Sequence, residues 1–343
     1  MFLPAEWHKQ VAVQLTWPHS QTDWKPYLVE AQQCFDAIAH EVLKHEKLII
    51  VAPDTGILRS RFSDDEMKNI YFFDCNTNDT WARDHGGITV FDNDKTVICD
   101  FVFNGWGLKF PANFDNRLTM KMMSAGFFSF LTSFNICYTF VLEGGSIESD
   151  GCGTLMTTAS CLLAANRNDF RDTAVAEKYL CEWFGLQRVM WLHHGYLAGD
   201  DTDGHIDTLA RFCDKDTIAY VKCYDVEDEH FSELQKMEDE LKSFKTLDGK
   251  PYRLMPLPLP PAMYYDDERL PATYANFLII NGAVLVPFYG CQSDEVAAAT
   301  LQTAFPDREI VGIDCKVLLR QHGSLHCVTM QYSDILKYRD YDS

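Results

Sequence analysis

Five polar side chains in this sequence could together carry out nucleophilic chemistry on a cation. Cys327 offers a thiol, His205 a proton donor or acceptor, and Asp84, Glu143 and Asp207 offer carboxylates. A cysteine near a histidine is the minimum for thiolate catalysis. Neighbouring carboxylates raise the pKa of a thiol, so the set makes chemical sense if the substrate is itself positively charged. Asp84 and Asp207 would then hold a planar guanidinium group by paired hydrogen bonds, and the bound cation would favour the thiolate.

Each of these residues also has an ordinary structural explanation when it is considered alone. A cysteine in an apolar segment is commonly a buried hydrophobic residue, and Asp84 beside Arg83 is typical of a structural ion pair. Glu143, in the run Glu-Gly-Gly, could mark a turn, orient His205 or share the guanidinium group. The joint position of the five residues, each near a predicted strand, is what favours catalysis.

The sequence favours neither a metal ion nor an organic cofactor. Its twelve cysteines include no C-x-x-C pair, so neither a zinc ribbon nor a redox dithiol is expected. Residues 200–207 superficially resemble a calcium loop, but alignment on Gly204 puts Gly199 and Ala210 at the first and last ligand positions. A phosphate-binding P-loop and a G-x-S-x-G nucleophile elbow are absent from the sequence.

The elements that must position these side chains alternate between helices and strands. Helical periodicity predicts helices at about residues 26–45, 117–131, 169–184, 228–244 and 293–305. Apolar runs predict strands at Lys47–Ala52, Thr96–Phe103, Thr217–Val221 and Phe277–Ile280. The proline-rich run 256–261 is too short and too apolar for a linker and is expected to form a docked loop.

A glycine recurs just before five strand-like segments. These segments are RDHGGITVF, LEGGSIESD, TDGHIDTLARF, INGAVLVPF and QHGSLHCVTM. Together with five helices they indicate a repeated β/α module around a common axis. An ordinary α/β sandwich with glycine at tight turns is the alternative, but it does not explain the polar residues at these strand starts. His205 and Asp207 would point to the same face of one strand, and Cys327 would lie on another strand that faces the same centre.

Composition and charge are those of a large domain that avoids anions. The chain has 343 residues, 47% of them hydrophobic, and a formal net charge of -20. Such a charge repels nucleic acid and anionic membranes and favours cationic small molecules. The sequence has no run of about 18 apolar residues and no N-terminal signal pattern, so a cytoplasmic location is expected. No linker divides the chain, and residues 1–343 are predicted to form one domain.

Seven segments resemble, in the same order, the agmatine deiminase family, which is grouped with the bacterial-type peptidyl-arginine deiminases in the pentein superfamily. They are WPHSQTDW (17–24), NDTWARDHGGITV (78–90), FNGWG (103–107), LEGGSIESDGCGTLMTT (142–158), CLLAANRN (161–168), DDTDGHIDTLARF (200–212) and GSLHCVTMQ (323–331). The resemblance spans nearly the whole chain. It implies an α/β fold, namely a five-bladed α/β propeller of pseudo-fivefold repeated ββαβ modules, with no metal and no organic cofactor.

The resemblance also implies a role for each of the five polar residues. Cys327 corresponds to the nucleophile and His205 to the general acid and base. Asp84 and Asp207 correspond to the carboxylates that bind the guanidinium group, and Glu143 to the remaining catalytic acid. The implied reaction proceeds through a covalent thiouronium intermediate on the cysteine, which water resolves.

Two tryptophans match motif positions of the family, and two other residues depart from its pattern. Trp81 and Trp106 lie at motif positions where their rings could pack on the substrate, although core tryptophans would look the same in sequence. Ser324 stands where the family usually has a second glycine, and Leu325 follows it. These two residues bring into question the shape of the loop before Cys327, not the nucleophile.

Agmatine is the guanidine compound that the sequence favours as substrate. It ends in an amine, whereas a C-terminal peptidyl arginine ends in a carboxylate that arginine residues would recognise. The peptidyl-arginine type has basic residues about where residues 103–107 lie and an aromatic residue three positions before the histidine. Here these places hold FNGWG and Thr202. Lys109 and Arg117 could still meet a carboxylate, whereas the acidic run 200–203 could attract an amine.

Hydrolysis of agmatine to N-carbamoylputrescine and ammonia is therefore the predicted reaction. The alternatives are deimination of arginine or peptidyl arginine, amidino transfer to an amine, and binding of a guanidine compound without chemistry. The expected partner is a cationic guanidine small molecule, with neither nucleic acid nor membrane. Related enzymes form dimers, so a homodimer is a further expectation from the resemblance.

Overall fold

The computed structural model describes residues 1–93, 95–128, 132–170 and 172–333. The strands in this part of the chain are β1 Ala12–Thr16, β2 Lys47–Ala52, β3 Ile70–Asp74, β4 Ile88–Asp92, β5 Lys95–Val102, β6 Ser133–Val141, β7 Ile147–Ser149, β8 Thr154–Thr158, β9 Arg188–Leu192, β10 Ala210–Asp214, β11 Thr217–Lys222, β12 Arg253–Pro258, β13 Tyr264–Tyr265, β14 Glu268–Arg269, β15 Leu278–Ile280, β16 Ala283–Phe288, β17 Glu309–Asp314 and β18 Thr329–Tyr332.

The α-helices in the same ranges are α1 Leu28–Leu43, α2 Asp64–Met67, α3 Ala82–His85, α4 Gly105–Leu108, α5 Leu118–Ser124, α6 Ala159–Leu162, α7 Thr173–Phe184, α8 Phe231–Ser243, α9 Ser293–Ala304 and α10 Lys316–Leu319. Short 3₁₀ helices lie at Lys25–Tyr27, Gly56–Arg61, Asp115–Arg117, Gly144–Ser146 and Ile206–Thr208. None of the described helices combines the length and the apolar character that crossing a membrane requires.

Four three-stranded sheets share one topology, and a fifth sheet repeats it with the two chain ends. In β4-β5-β6, β7-β8-β9, β10-β11-β12 and β15-β16-β17, the first two strands are antiparallel and the last two are parallel. In the fifth sheet, β18 is antiparallel to β1, which is parallel to β2. The sheet is extended by β3, and β13 and β14 form a separate hairpin. The last strand of the repeat thus pairs with the first strand of the chain.

Each repeat contains a helix because parallel neighbours need a crossover connection. Helix α1 connects β1 to β2, α8 connects β11 to β12, and α9 connects β16 to β17. Helices α4 and α5 lie between β5 and β6, and α6 and α7 lie between β8 and β9. The described chain is thus mixed α/β, and five ββαβ units recur in it. Both features confirm the fold class that the sequence predicted.

The middle strand of each unit forms the core. Strands β8 and β11 are almost completely buried, whereas the outer strands β12 and β17 are only partly so. A strand covered on both faces is expected to be continuously apolar, which matches the run KLIIVA in β2.

The predicted helices and strands correspond closely to the observed ones, with two differences. The helix predicted at 117–131 is shorter, because α5 ends at Ser124, and residues 129–131 of that prediction lie outside the described part. The proline-rich run 256–261 was predicted to be a loop, but its first half belongs to β12. β12 is the edge strand of its sheet, where a missing backbone N–H is tolerated.

Two expectations about the strand starts were wrong in detail. His205 and Asp207 do not lie on a strand, because residues 206–208 form a 3₁₀ turn before β10. Cys327 lies in the turn that precedes β18, not on the strand itself. Gly282, with φ of 82°, lies just before β16 as expected, in the tight turn between β15 and β16. The single domain over 1–343 stays a prediction.

Tyr332→Phe is expected to destabilise the fold where its two ends meet. The hydroxyl of Tyr332 on β18 donates to Oε1 of Gln14 on β1 at 2.9 Å, and both side chains are buried. The variant leaves that oxygen without its partner, so the free energy of unfolding should fall by about 1–3 kcal/mol. Urea denaturation measures the change. Tyr138→Phe, at an exposed site, is the control and should stay within about 0.5 kcal/mol; equal losses in both variants would contradict the assignment.

Candidate active site

Asp84 is held in place by two hydrogen bonds, one from its own unit and one from the next. It lies in the short helix α3 and is buried. Its Oδ1 accepts from the backbone N–H of Gly145 at 3.0 Å, and its Oδ2 accepts from Nε1 of Trp106 at 2.9 Å. Burial raises its pKa well above the ordinary value, and the charges of Asp207 and Glu143 raise it further. A cation bound here would oppose that shift.

Trp106 reaches Asp84 because the FNGWG segment folds into an unusual turn. Trp106 has φ of 54° and lies between Gly105 and Gly107, whose φ angles are also positive. A Cβ atom on Gly105 would lie 2.1 Å from the carbonyl oxygen of Phe110. The side chain of Asn104 accepts from the backbone N–H of Gly107 at 2.8 Å. The glycines therefore permit a turn that points the indole N–H at the carboxylate.

Gly145 is the point at which three of the predicted residues meet. A Cβ atom on Gly145 would lie 2.6 Å from Nδ1 of His205, 2.8 Å from Oδ1 of Asp84 and 3.1 Å from Oδ2 of Asp207. Only a residue without a side chain leaves room for these groups. Nδ1 of His205 lies 3.5 Å from Oδ1 of Asp84. Burial lowers the pKa of His205 to about 3, so its imidazole is neutral near pH 7.

Glu143 is paired with an arginine that the sequence reasoning did not single out. Nε of Arg167 donates to both carboxylate oxygens at 2.9 and 3.0 Å. The same guanidinium group donates to Oδ2 of Asp203 and to the carbonyl of Thr202. It thereby connects Glu143 to the loop that carries His205, whose Nε2 lies 3.9 Å from Oε2 of Glu143. Burial raises the pKa of Glu143, and Arg167 partly offsets this.

Asp207 has one engaged oxygen and one free oxygen. Its Oδ2 lies 2.7 Å from Nδ1 of His326. Its Oδ1 is buried and has no hydrogen-bond partner among the described residues. Burial acts to raise the pKa of Asp207, but the hydrogen bond and charge of His326 and the charges of His205 and Arg211 bring it below the ordinary value. A free acceptor on a buried carboxylate is suited to a donor on a bound cation.

Cys327 is placed by its backbone and by the amide of Asn276. Oδ1 of Asn276 accepts from the backbone N–H of His326 at 2.9 Å and from the thiol of Cys327 at 3.4 Å. Sγ lies 4.0 Å from Oδ2 of Asp207. Burial raises the pKa of the Cys327 thiol well above its ordinary value, and the charges of Asp207 and Asp84 add to the effect. The thiol is therefore protonated in the free protein.

In the loop before Cys327, the two residues that depart from the family pattern both pack in the protein interior. The hydroxyl of Ser324 lies 2.9 Å from that of Tyr289, and Leu325 is fully buried in the core. A Cβ atom on Gly323 would lie 2.1 Å from the ring of Trp81. Trp81 therefore both supports this loop and lines the cleft, so its structural and binding interpretations are compatible.

A cleft of about 260 Å³ leads to Asp84 and Cys327, and its wall is acidic. Both tryptophans contribute to the lining, as does Phe110. The carboxylates in the lining, apart from Asp84, are Asp23, Asp79, Asp200 and Asp201. Arg320 also lies there, but its Nη1 is paired with Glu30 at 2.7 Å.

The two basic residues that could have met a carboxylate are engaged or exposed elsewhere. Nζ of Lys109 donates to the carbonyl of Asp201 at 2.6 Å and to Oδ1 of Asp203 at 2.8 Å. Arg117 is exposed and does not line the cleft. Most of the ionisable side chains that line the described cleft are carboxylates, which attract cations.

Three buried residues come close enough to suggest a metal site. A carboxylate oxygen of Glu143, Sγ of Cys161 and a ring nitrogen of His205 lie within 4.8 Å of one another. Both oxygens of Glu143 already accept from Arg167. A metal ion would have to displace this guanidinium group, so the donor set fits an ion pair better than a cation site.

The structure brings all five polar residues together, along with Trp81 and Trp106. Sequence reasoning missed Asn276, His326, Arg167 and Glu6. His326 and Arg167 lie inside segments that carry the family resemblance, so a signal for them existed. Asn276 and Glu6 have no such signal, because only the folded chain brings them to the site.

Comparisons with known proteins agree with this geometry. The family model for the Porphyromonas-type peptidyl-arginine deiminases matches residues 2–333. A Porphyromonas gingivalis structure, provisionally named an arginine deiminase, has 52% identity and a TM-score of 0.94, over 98% of this chain and 99% of that one. The agmatine deiminase of C. jejuni, solved as a Cys-to-Ser variant with substrate bound, has 42% identity and a TM-score of 0.89, over 98% of both chains.

More distant proteins extend the comparison. A Mycoplasma capricolum protein, provisionally named an agmatine deiminase, is 30% identical over 96% of this chain and 95% of its own length. A dimethylarginine dimethylaminohydrolase has 12% identity and a TM-score of 0.53, over 94% of this chain and 100% of that one. That likeness concerns the fold alone, and it agrees with the pentein fold expected from the sequence.

Alkylation of Cys327 in the free protein is expected to be slow at neutral pH. Because the thiol pKa is raised, the thiolate fraction should increase about tenfold per pH unit below it. Iodoacetamide labelling, followed by peptide mass spectrometry, should therefore still accelerate between pH 7 and 9. The exposed Cys152 in the same digest is the reference. A rate that is already constant at pH 7 would contradict the raised pKa.

Proposed function

The chain belongs to the Porphyromonas-type peptidyl-arginine deiminase family, and we propose that within it the chain hydrolyses agmatine to N-carbamoylputrescine and ammonia. Hydrolysis of a C–N bond in a linear amidine is the chemistry of its named relatives. The observation that carries the proposal is the convergence of Asp84, Asp207 and His205 on Gly145, next to the thiol of Cys327. This set offers acceptors for a guanidinium group, a nucleophile and a proton carrier.

The proposed first half-reaction begins with substrate binding. The guanidinium group donates to Asp84 and Asp207, whose free Oδ1 accepts one of its hydrogens. The added positive charge lowers the pKa of Cys327, and the thiol proton passes to His205, which becomes an imidazolium. Sulfur then bonds to the guanidinium carbon. His205 delivers a proton to the departing nitrogen, the C–N bond breaks, and ammonia leaves. An amidino group remains on sulfur as a thiouronium.

The proposed second half-reaction uses water. His205 takes a proton from the water, whose oxygen bonds to the amidino carbon. The C–S bond breaks, the electron pair returns to the sulfur of Cys327, and the ureido product leaves. His205 suits both roles because its neutral imidazole can accept a proton and give it back. Glu143, paired with Arg167, orients His205 from the other side of the ring.

The acidic cleft supports agmatine over a substrate that ends in a carboxylate. A ligand held at Cys327 extends past Asp23, Asp79 and Asp201. Burial raises the pKa of Asp79 and of Asp201 to about 6, so both are largely ionised near pH 7. A terminal amine would be attracted by them and a terminal carboxylate repelled.

One observation favours a second candidate, the deimination of arginine or peptidyl arginine. Arg320 lines the cleft and stacks on the rings of Tyr27 and Tyr265. A substrate carboxylate could compete with Glu30 for its guanidinium group. The provisional name of the Porphyromonas gingivalis relative points the same way.

A homodimer and a cytoplasmic location remain part of the proposal.

Ammonia release from agmatine, arginine and a peptide ending in arginine tests the substrate. We expect kcat/KM to be at least about tenfold higher for agmatine, because one charge reversal beside carboxylates is worth that much. A coupled ammonia assay at pH 7 to 8 measures all three side by side. Equal or higher activity on either carboxylate-bearing substrate would reject agmatine. No ammonia from any of them would favour amidino transfer or binding alone.

Cys327→Ala is expected to lower ammonia release by about a thousandfold or more, because the nucleophile is lost. The matched control is Cys213→Ala, at another buried cysteine that does not line the cleft, and it should retain most activity. Intact mass after rapid quenching with agmatine should show the amidino adduct on the parent enzyme only. Near-normal turnover by Cys327→Ala or Cys327→Ser would disprove the covalent mechanism.

A further inference from the structure

One carboxylate oxygen of Asp207, Oδ2, is connected to the N-terminal segment through His326. Nδ1 of His326 lies 2.7 Å from Oδ2 of Asp207, and its Nε2 lies 2.6 Å from Oε2 of Glu6. All three side chains are almost completely buried. Glu6 and His326 are 320 positions apart in sequence. Two short contacts thus connect the first residues of the chain to a carboxylate of the candidate site.

Glu6 is itself rigidly held. Its Oε1 accepts from the backbone N–H of Ile279 at 2.7 Å. Its Oε2 lies 3.0 Å from Nη2 of Arg211 and 3.6 Å from Nη2 of Arg83. Burial alone would raise its pKa, but Arg211, His326 and Arg83 bring it well below the ordinary value. Glu6 is therefore a fixed negative charge at one end of the imidazole.

The contacts determine where the protons on His326 lie. A neutral imidazole has one N–H, yet both ring nitrogens of His326 face carboxylate oxygens at hydrogen-bond distance. Because Glu6 is ionised, Nε2 must donate to it. Burial and the charges of Arg211 and Arg83 lower the pKa of His326, but two unprotonated acceptors would repel each other at 2.7 Å, so a second proton is shared between Nδ1 and Oδ2 of Asp207. The ring orientation and the hydrogen bond to Asp207 both depend on Glu6.

Packing alone does not hold this imidazole. His326 and Glu6 border a cavity of about 60 Å³ that is also lined by Arg83, Glu148 and Met330. A side chain next to open space keeps its orientation through its polar contacts. The contacts with Glu6 and Asp207 are therefore the polar constraints on the ring.

We propose that Glu6 and His326 are positioning residues for guanidinium recognition. Glu6 orients His326, and His326 fixes Oδ2 of Asp207 so that Oδ1 stays free to accept from the substrate. The inference rests on the proposed role of Asp207 as a guanidinium-binding carboxylate. It assigns part of the site to the N-terminal segment, which carries no residue of the predicted set.

Alkylation with two matched reagents tests this proposal without relying on turnover. 2-Chloroacetamidine is a planar cation like a guanidinium group, and 2-chloroacetamide is its neutral counterpart. In both reactions the Cys327 thiolate forms a C–S bond and chloride leaves. The ratio of the two rates, measured on the Cys327 peptide by mass spectrometry, reports recognition of the cation. We expect Glu6→Gln to lower the ratio about tenfold, the typical weight of a hydrogen bond to a charged group.

Glu148→Gln is the matched control. Glu148 is as buried as Glu6 and is also paired with Arg211, at 2.9 Å, but it makes no hydrogen bond to His326 or Asp207. It should leave the ratio within about twofold of the parent protein. Equal losses in the two variants, or an unchanged ratio in Glu6→Gln, would overturn the proposal. So would a fall in both alkylation rates by the same factor, because that reports general damage to the site.

A double variant checks that the effect passes through the imidazole. His326→Asn keeps a donor towards Asp207, but its shorter side chain does not reach Glu6. Glu6→Gln should therefore change the ratio little in the His326→Asn background; a further tenfold fall there would overturn the proposal. If Glu6→Gln does not fold, Glu6→Asp replaces it, with a smaller fall expected.

The outcome is independent of the substrate assignment. A protein that releases no ammonia from agmatine but shows the predicted ratios would retain the positioning role and lose the proposed reaction. A protein with agmatine activity and unchanged ratios would support the proposed reaction and overturn the positioning role.

Discussion

The site depends on how neighbouring groups balance the negative charges of three buried carboxylates. Asp84, Glu143 and Asp207 have almost no solvent exposure, and an ionised carboxylate in such surroundings is unstable unless it is paired. Each is compensated differently. Asp84 accepts from a peptide N–H and an indole, Glu143 pairs with a guanidinium group, and Asp207 faces an imidazole. Gly145 and His326 come from repeats other than those of Asp84 and Asp207, so the complete site exists only when the repeats are packed together.

The negative charges are only partly balanced, and this affects the reactivity of the thiol. The pKa of Asp84 and of Glu143 remains raised, and the pKa of the Cys327 thiol is raised with them. The free protein thus carries a protonated thiol beside a neutral His205, a combination with low reactivity. A bound cation relieves the repulsion among the carboxylates and favours the thiolate at the same time. Under the proposed mechanism, recognition and activation of the nucleophile are one electrostatic event.

The repeated fold explains how side chains distant in sequence reach one point. The predicted polar residues lie in short helices and turns that precede the first strand of a unit, not on the strand. These segments approach one another closely at Gly145. At Gly145 a single Cβ atom would overlap three functional groups. The expectation that His205 and Asp207 share a strand face was wrong, because a 3₁₀ turn brings both side chains to Gly145 instead.

The sequence by itself determined the helices, most strands, the five-unit organisation and the set of seven candidate residues. These features depend on local patterns, since periodicity, turn glycines and motif segments can be recognised within short stretches of sequence. Only the tertiary structure decided how the carboxylates are compensated. Glu6 and Asn276 approach their partners across long stretches of chain, and nothing in their own segments indicates a buried charge to balance. The contact of His326 with Glu6 joins the two ends of the chain, where the last strand pairs with the first, because electrostatic compensation depends on distance in space and not on distance along the chain.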